Sequence, residues 1–354
     1  MDGAEHGGVK HVSGTLIRLI VGMVMLTALT VAGGVYYERF CVWRAWREFP
    51  PPGRLVEVMG RRIQLDCRGV GAPVVVFEAG LDINGALSWS PIHDTVAQTT
   101  RACAYSRAGI MWSDPREGAS DATTIARDLH ALLANAGERP PFVLVGHSVG
   151  GLYVVTYTAT FPNEVAGLVL VESTHPEQVQ RFKALVPALF TGTPVSYRLK
   201  VALGWTGIMR IDREASTGVA HQSSRDVQAM AAFAPSSLVS MLREEDAMPQ
   251  TLAEARSSHD LGDRPTWVLT GAKPLPDGAL ESFNMTGAQA AELQTVWKRM
   301  QDDEASWSSH TQHQVVPAAG HYLQFDRPEV VIAAVESVVD TVRSPLTDQR
   351  RFSK

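Results

Sequence analysis

The sequence is short of charge, of cysteine and of basic runs, and each shortage narrows its possible functions. Only 19% of its 354 residues are Asp, Glu, Lys or Arg, against 45% hydrophobic residues. Such a chain buries a sizeable core and is not a disordered one. The net charge is −5, with no long run of Lys and Arg. Counterion release along nucleic acid needs a basic surface, so no nucleic-acid partner is expected. A negative surface gives no reason to expect a polyanionic substrate either. No internal repeat or low-complexity tract is present. Of eleven histidines, His310 and His313 are close together, but no third ligand follows at a convincing spacing. No metal is therefore expected there, the pair reads as solvated, and no cofactor is expected.

Three cysteines occur. Cys67 lies in the strand-like RRIQLDCRG and Cys103 in RACAYSRAG. If those strands are neighbours, a disulfide is geometrically possible and would indicate an oxidising compartment. Two buried thiols are the other reading. Cys41, beside the apolar run described next, is a lone candidate for acylation.

One long hydrophobic run stands out. Leu19 to Tyr37, LIVGMVMLTALTVAGGVYY, carries no charge over 19 residues. At about 1.5 Å per residue it nearly crosses a hydrocarbon layer of roughly 30 Å. Tyr36, Tyr37, Trp43 and Trp46 fall where an interfacial aromatic belt would sit. The reading taken is a single-pass anchor. A signal peptide cleaved near Thr30-Val31-Ala32 and a buried core helix are the alternatives. Lys10 and Arg18 precede the run, and Glu38, Arg39, Arg44 and Arg47 follow it, so the flanking charge gives no vote on orientation. An extracytoplasmic catalytic domain is the expectation adopted. Residues 1–18 read as a polar tail. Residues 38–53, ending in EFPPPG, read as a stiff linker, because proline disfavours helix.

Beyond Arg54 strands and helices alternate. Val74–Phe77, Ala102–Tyr105, Phe142–Val145 and Val165–Val171 are continuous apolar runs. Thr123–Ala136, with Ile125, Leu129, Leu132 and Leu133, and Leu152–Thr160 have helical patterns. Such alternation predicts a parallel sheet covered on both faces. It breaks at 175–264, a stretch with helical patches that includes Phe182, Leu189, Phe190 and Trp205. This stretch reads as a helical insertion above the sheet. The pattern resumes at Trp267–Thr270 and ends with a helix near Pro328, leaving 343–354 as a tail. The core is thus 54–174 plus 265–342.

The chemistry concentrates in FVLVGHSVGG, Phe142 to Gly151. A serine hydroxyl is a weak nucleophile that needs a base and must project from a sharp strand-to-helix turn. That turn crowds its backbone and demands small residues two positions before and after, here Gly146 and Gly150. The helix dipole adds support for developing negative charge. Ser148 is therefore the candidate nucleophile. His321, in AAGHYLQFDRPE after a short apolar strand, has the placement of a base late in the chain. His147 is the runner-up, although its side chain should diverge from the adjacent serine. The acid that orients the base is Glu172, at the end of GLVLVES, or alternatively Asp277, in LTGAKPLPDGA. An oxyanion hole needs two N–H donors. Val149 follows the serine, and Leu81, in EAGLD, is taken as the second.

These segments resemble the α/β-hydrolase superfamily, in particular bacterial members with an EAG loop, a Tyr-Asp-Arg-Ala-Gly segment, a Gly-His-Ser-x-Gly-Gly elbow and a late Gly-His. Here they read Glu78-Ala79-Gly80, Tyr105-Ser106-Arg107-Ala108-Gly109, Gly146 to Gly151 and Gly320-His321. The resemblance covers about residues 54–342. It implies an eight-stranded, mostly parallel sheet with helices on both faces and a cap inserted after the sixth strand. It also implies neighbouring strands for Cys67 and Cys103, and an acid after either the sixth or the seventh strand. Ser106 replaces the usual aspartate, which predicts altered loop hydrogen bonding. Superfamily dehalogenases and epoxide hydrolases use an aspartate nucleophile, which Ser148 argues against. The expected activity is hydrolysis of a carboxylic ester with an apolar acyl or aryl group through an acyl-enzyme. The alternatives are amide, thioester or lactone cleavage by the same residues, or a non-catalytic ligand-binding role. Oligomeric state is left open.

Overall fold

The computed structural model describes residues 14–187, 192–211, 220–275, 277–282 and 284–351. The strands are β1 (Arg54–Val58), β2 (Arg61–Arg68), β3 (Val74–Glu78), β4 (Ala102–Tyr105), β5 (Phe142–His147), β6 (Val165–Val171), β7 (Thr266–Gly271) and β8 (Thr311–Val316). They form one sheet in the order β1-β2-β4-β3-β5-β6-β7-β8. β2 runs antiparallel to β1 and β4, and the rest pair in parallel. Every residue of β3, β4 and β5 is buried. This is why these strands read as unbroken apolar runs rather than alternating ones.

The helices are α1 (Gly14–Glu48), α2 (His93–Thr99), α3 (Ala122–Ala136), α4 (Val149–Thr160), α5 (Gln178–Lys183), α6 (Val195–Ala202), α7 (Ser224–Asp246), α8 (Met248–Arg256), α9 (Asp277–Ser282), α10 (Gly287–Glu304), α11 (Leu323–Asp326) and α12 (Pro328–Arg351). The Asp121 side chain caps α3 by accepting from Thr124 N–H. One face of the sheet packs with α3 and α4, through Leu129, Leu133, Val154 and Tyr157. The other face packs with α2 and α12, through Val96, Val331, Val335 and Val338. Helices α5–α8 all fall between β6 and β7 and form the expected cap. The cap residues Leu189 and Phe190 lie outside the described residues, as do Lys10 and the rest of 1–13.

Two boundaries differ from expectation. Residues 38–48 are not linker. α1 runs unbroken to Glu48, because no Pro or Gly interrupts the stretch between Glu38 and Pro50. Its last turns also have a surface to bury. Ala45 and Phe49 pack with Trp112 and Phe233, and Trp112 Nε1–H donates to the Phe49 carbonyl at 2.8 Å. At the other end, α12 continues to Arg351, so 343–351 is helix rather than tail. Among the described residues, α1 is the one helix long and apolar enough to cross a membrane, with a most apolar window of mean hydropathy 2.1 and no residue of it buried.

Cys67 and Cys103 are opposite each other on β2 and β4 and are joined as a disulfide. Ser106 Oγ donates to Gln64 Oε1 at 2.8 Å and accepts from Ala86 N–H at 3.2 Å, so a β2 side chain and the β3–β4 connection hold this loop.

Candidate active site

Ser148 sits between β5 and α4 with φ 54° and ψ −126°. A side-chain-bearing residue rarely adopts this conformation, and it persists only where surroundings enforce it. Here Ser148 N–H donates to Val171 O at 3.1 Å, and Thr174 N–H donates to Ser148 O at 2.9 Å. The two flanking glycines are required by contact. A Cβ on Gly146 would lie 2.6 Å from Gly150 O, and one on Gly150 would lie 2.5 Å from Glu78 O.

The three expected side chains converge. Ser148 Oγ is 3.1 Å from His321 Nε2, and His321 Nδ1 is 3.4 Å from Glu172 Oε2. Ser148 and Glu172 are buried, whereas the His321 side chain is 49% exposed, so water can reach the imidazole. Glu172 directly follows β6 in a left-handed conformation, φ 49°, and its N–H donates to Leu269 O. Its Oε1 accepts from Gly271 N–H and, at 3.1 Å, from Trp297 Nε1–H. One carboxylate oxygen is thus held by fixed donors while the other faces His321 Nδ1. Asp277 opens α9; its side chain lies outside the described residues.

Val149 and Leu81 belong to the two backbone segments that meet at the serine. A Cβ on Gly80 would lie 3.1 Å from Ser148 Cβ, so the EAG loop passes against Ser148. Arg107 fixes that loop. Its guanidinium donates to Ala79 O at 2.7 Å and Gly80 O at 2.6 Å, to Glu78 Oε1 at 2.7 Å, and to both carboxylate oxygens of Glu244 on cap helix α7 at 2.8 Å. Burial is the main force pushing the Glu78 carboxyl up to about 7; Arg107 and the Tyr105 hydroxyl oppose it, and the Glu244 charge adds to it.

His147 does diverge from Ser148, and it has a task the sequence did not signal. Its Nε2–H donates to the His321 carbonyl at 2.8 Å. Burial, then the neighbouring His321, pushes its imidazole down to about 3, so the ring is neutral at ordinary pH. Trp297 and Gln301 on α10 were also missed. Gln301 donates to Ser173 O at 2.8 Å, behind the acid. His313 is not solvated as expected. Its Nε2 is 2.8 Å from Thr270 Oγ1 and its Nδ1 is 3.1 Å from Asp302.

A cleft of about 230 Å³ opens beside Glu172 and His321, walled by Phe182, Leu275, Leu293 and Trp297. A tighter void beside Arg107 and Ile125 offers only about 20 Å³, room for about one water.

The alpha/beta hydrolase family model matches residues 41–334, and the chain belongs to that family. It is 24% identical over 304 residues to an AB hydrolase superfamily protein of Gibberella zeae, covering 77% of this chain and 87% of the relative. It is 24% identical over 298 residues to a "Probable transporter efuK" of Hormonema carpetanum. The chain spans about half or less of the length of the first curated relatives it matches, 40% in that case and 51% for a protein of Bacillus subtilis. Among solved structures, a mutant epoxide hydrolase from Bacillus megaterium in complex with its product superposes with TM-score 0.60 at 14% identity. The match covers 81% of this chain and all of that one. That likeness describes the fold.

Proposed function

We propose that the protein is a membrane-anchored serine hydrolase that cleaves carboxylic esters through an acyl-enzyme. The observation that carries the reading is the hydrogen-bonded line Ser148 Oγ, His321 Nε2, His321 Nδ1 and Glu172 Oε2. His321 Nε2 takes the hydroxyl proton as Ser148 Oγ attacks the ester carbonyl. The N–H groups of Val149 and Leu81 hold the oxyanion. The tetrahedral adduct collapses, His321 returns the proton to the departing alkoxide, and the alcohol leaves. Water then attacks the acyl-serine with His321 as base, and the acid departs. Glu172 keeps the Nδ1 proton in place and supports the imidazolium.

Serine also favours acyl chemistry over epoxide opening. Attack by Ser148 on an epoxide carbon would leave an alkyl ether, which offers water no carbonyl to attack. An acyl-serine offers one. The aromatic and aliphatic walls of the cleft suit an apolar acyl or aryl group.

The membrane part of the reading rests on the exposed apolar length of α1. Within it the Thr27 and Thr30 hydroxyls donate to carbonyls one turn back, which satisfies them without water. The Cys67–Cys103 disulfide favours an extracytoplasmic catalytic domain.

The test is fluorophosphonate labelling of the full chain and of Ser148→Ala, with ester turnover measured alongside. Labelling should vanish in the variant and turnover should fall roughly 10³-fold or more. Equal labelling of the two proteins would reject Ser148 as nucleophile.

A further inference from the structure

We propose that the cap surface formed by α6 and the turns after it sits in the lipid headgroup–acyl boundary beside α1, so that the cap rests on the bilayer rather than standing clear of it. The inference rests on reading α1 as a bilayer anchor and adds a second, separate membrane contact.

The first observation is an apolar face that, among the described residues, is left exposed. Val195, Leu199 and Leu203 recur every four residues and so share one side of α6 and its cap position. Their exposures are 82%, 60% and 37%. Trp205, Ile208 and Ile211 continue the surface at 57%, 38% and 81%. Single exposed apolar residues are ordinary, but a run of large ones on one element marks an interaction surface.

The second observation fixes where this face lies relative to α1. The turn Gly204–Thr206 meets α1 backbone to backbone. A Cβ on Gly34 would lie 2.1 Å from Thr206 O, and one on Gly207 would lie 2.8 Å from Gly34 O. Gly34 is three residues from the end of the charge-free run Leu19–Tyr37. The cap therefore touches the anchor within the last turn of its membrane-length segment, which is the depth of an interface. Trp205, beside this contact, shares that level with the exposed Tyr36 and Tyr37, and Trp and Tyr rings favour that level.

The third observation is that, among the described residues, two cations at this junction are paired with carboxylates. Arg210 donates to both carboxylate oxygens of Glu38, at 2.8 and 2.9 Å, with side chains only 12% and 10% exposed. Arg198, on α6, pairs with Asp246 at 2.7 Å. The occupant that fits an uncharged apolar face level with the end of a membrane-length helix is a lipid surface.

Spin labelling of the full chain in phosphatidylcholine vesicles tests this. Cys41→Ala supplies the background, and Cys is placed singly at Val24 on α1, Leu203 on the cap face, and Val70. Val70 is 84% exposed in the β2–β3 turn, at the end of β3 away from Ser148. Soluble-ester turnover checks that each variant is folded. Relative accessibility to oxygen and to an aqueous nickel chelate reports depth. The expected oxygen-to-nickel ratio is highest at 24, several-fold above 70 at 203, and lowest at 70. If 203 matches 70 while 24 is deep, the cap contact is overturned and the anchor stands. If 24 also reads aqueous, the anchor reading itself fails. If 203 is shielded from both relaxants, a protein partner or a second copy covers the face, and the lipid assignment is overturned.

Discussion

Replacing Glu244 by Gln tests whether the cap holds the Glu78-Ala79-Gly80 loop through Arg107. Glu244 and Arg107 form a bidentate pair with side chains 3% and 5% exposed. Removing one partner of a buried pair costs about 3–5 kcal/mol. The lower end applies here, because Arg107 keeps Glu78 at 2.7 Å as a second carboxylate. About 3 kcal/mol is expected, which in a chain of 354 residues lowers Tm by roughly 4–5 °C. The neighbouring Glu245→Gln is the control. It removes a carboxylate that pairs with the partly exposed Arg198 at 3.3 Å, a class worth about 0–1 kcal/mol. Turnover should respond as well, because the same guanidinium holds the carbonyls of Ala79 and Gly80. A loop shift well below 1 Å at the proposed oxyanion donors is expected to lower kcat roughly tenfold with little change in KM. A third readout is the pH dependence of stability. Glu78 is raised in the folded chain from 4.5 to about 7, so its contribution is full below about pH 4.5 and is lost as pH rises through 7, worth roughly 3 kcal/mol. Glu244→Gln removes one of the charges that raise it, so this slope should flatten. The assays are thermal melts from pH 4 to 8 and steady-state ester kinetics. If Glu244→Gln melts within about 0.5 kcal/mol of Glu245→Gln, or melts lower with unchanged kcat, the clamp reasoning is refuted.

Other expectations can be checked with the same protein. Glu172→Gln should lower kcat by roughly 10²–10⁴-fold while Asp277→Asn changes it little; the reverse order in kinetics would move the acid to Asp277. His147→Phe removes the donor to the His321 carbonyl and should lower kcat roughly tenfold without moving the acidic limb of the pH–rate profile, since His147 is already neutral there; a shifted limb would mean it titrates in the reaction. Breaking the Cys67–Cys103 bridge, which spans 36 residues, by a double Ser substitution should cost about 3–4 kcal/mol in denaturant melts, and an unchanged midpoint would count against the bridge.

What could be read from the sequence was what local constraint imposes. The elbow was legible because a strand, two obligatory glycines and a helix occupy ten consecutive residues. The placement of His321 beside Ser148 was legible because order along the chain restricts which histidine can fall there. The choice between Glu172 and Asp277 was not, because it depends on which loop approaches His321 Nδ1, a distance set by the packing of β6, β7 and α10. α10 was itself invisible to hydrophobic periodicity. Its buried positions include Gln301 and Glu304 alongside Met300, so no apolar stripe marks it, and Trp297 was missed with it. The Arg107–Glu244 pair joins residues 137 apart, and His147 with the His321 carbonyl joins residues 174 apart; no spacing rule reaches either. The linker expected over 38–53 reaches too far back, because the prolines that argue against helix all lie at its C-terminal end. Helix continuity depends on the absence of a breaker, and the first proline comes only at Pro50.

The unbroken α1 changes what an insertion or deletion just after its apolar segment would do. A flexible tether with one more residue simply reaches further. A helix gripped at Gly34 and Glu38 on one side and at Ala45 and Phe49 on the other behaves like a keyed shaft. One residue added between those grips advances the far one by about 1.5 Å and turns it by about 100°, so both cannot engage together. Length in this segment is therefore counted in angular phase, and the hydrolase body has a fixed bearing about the axis of α1.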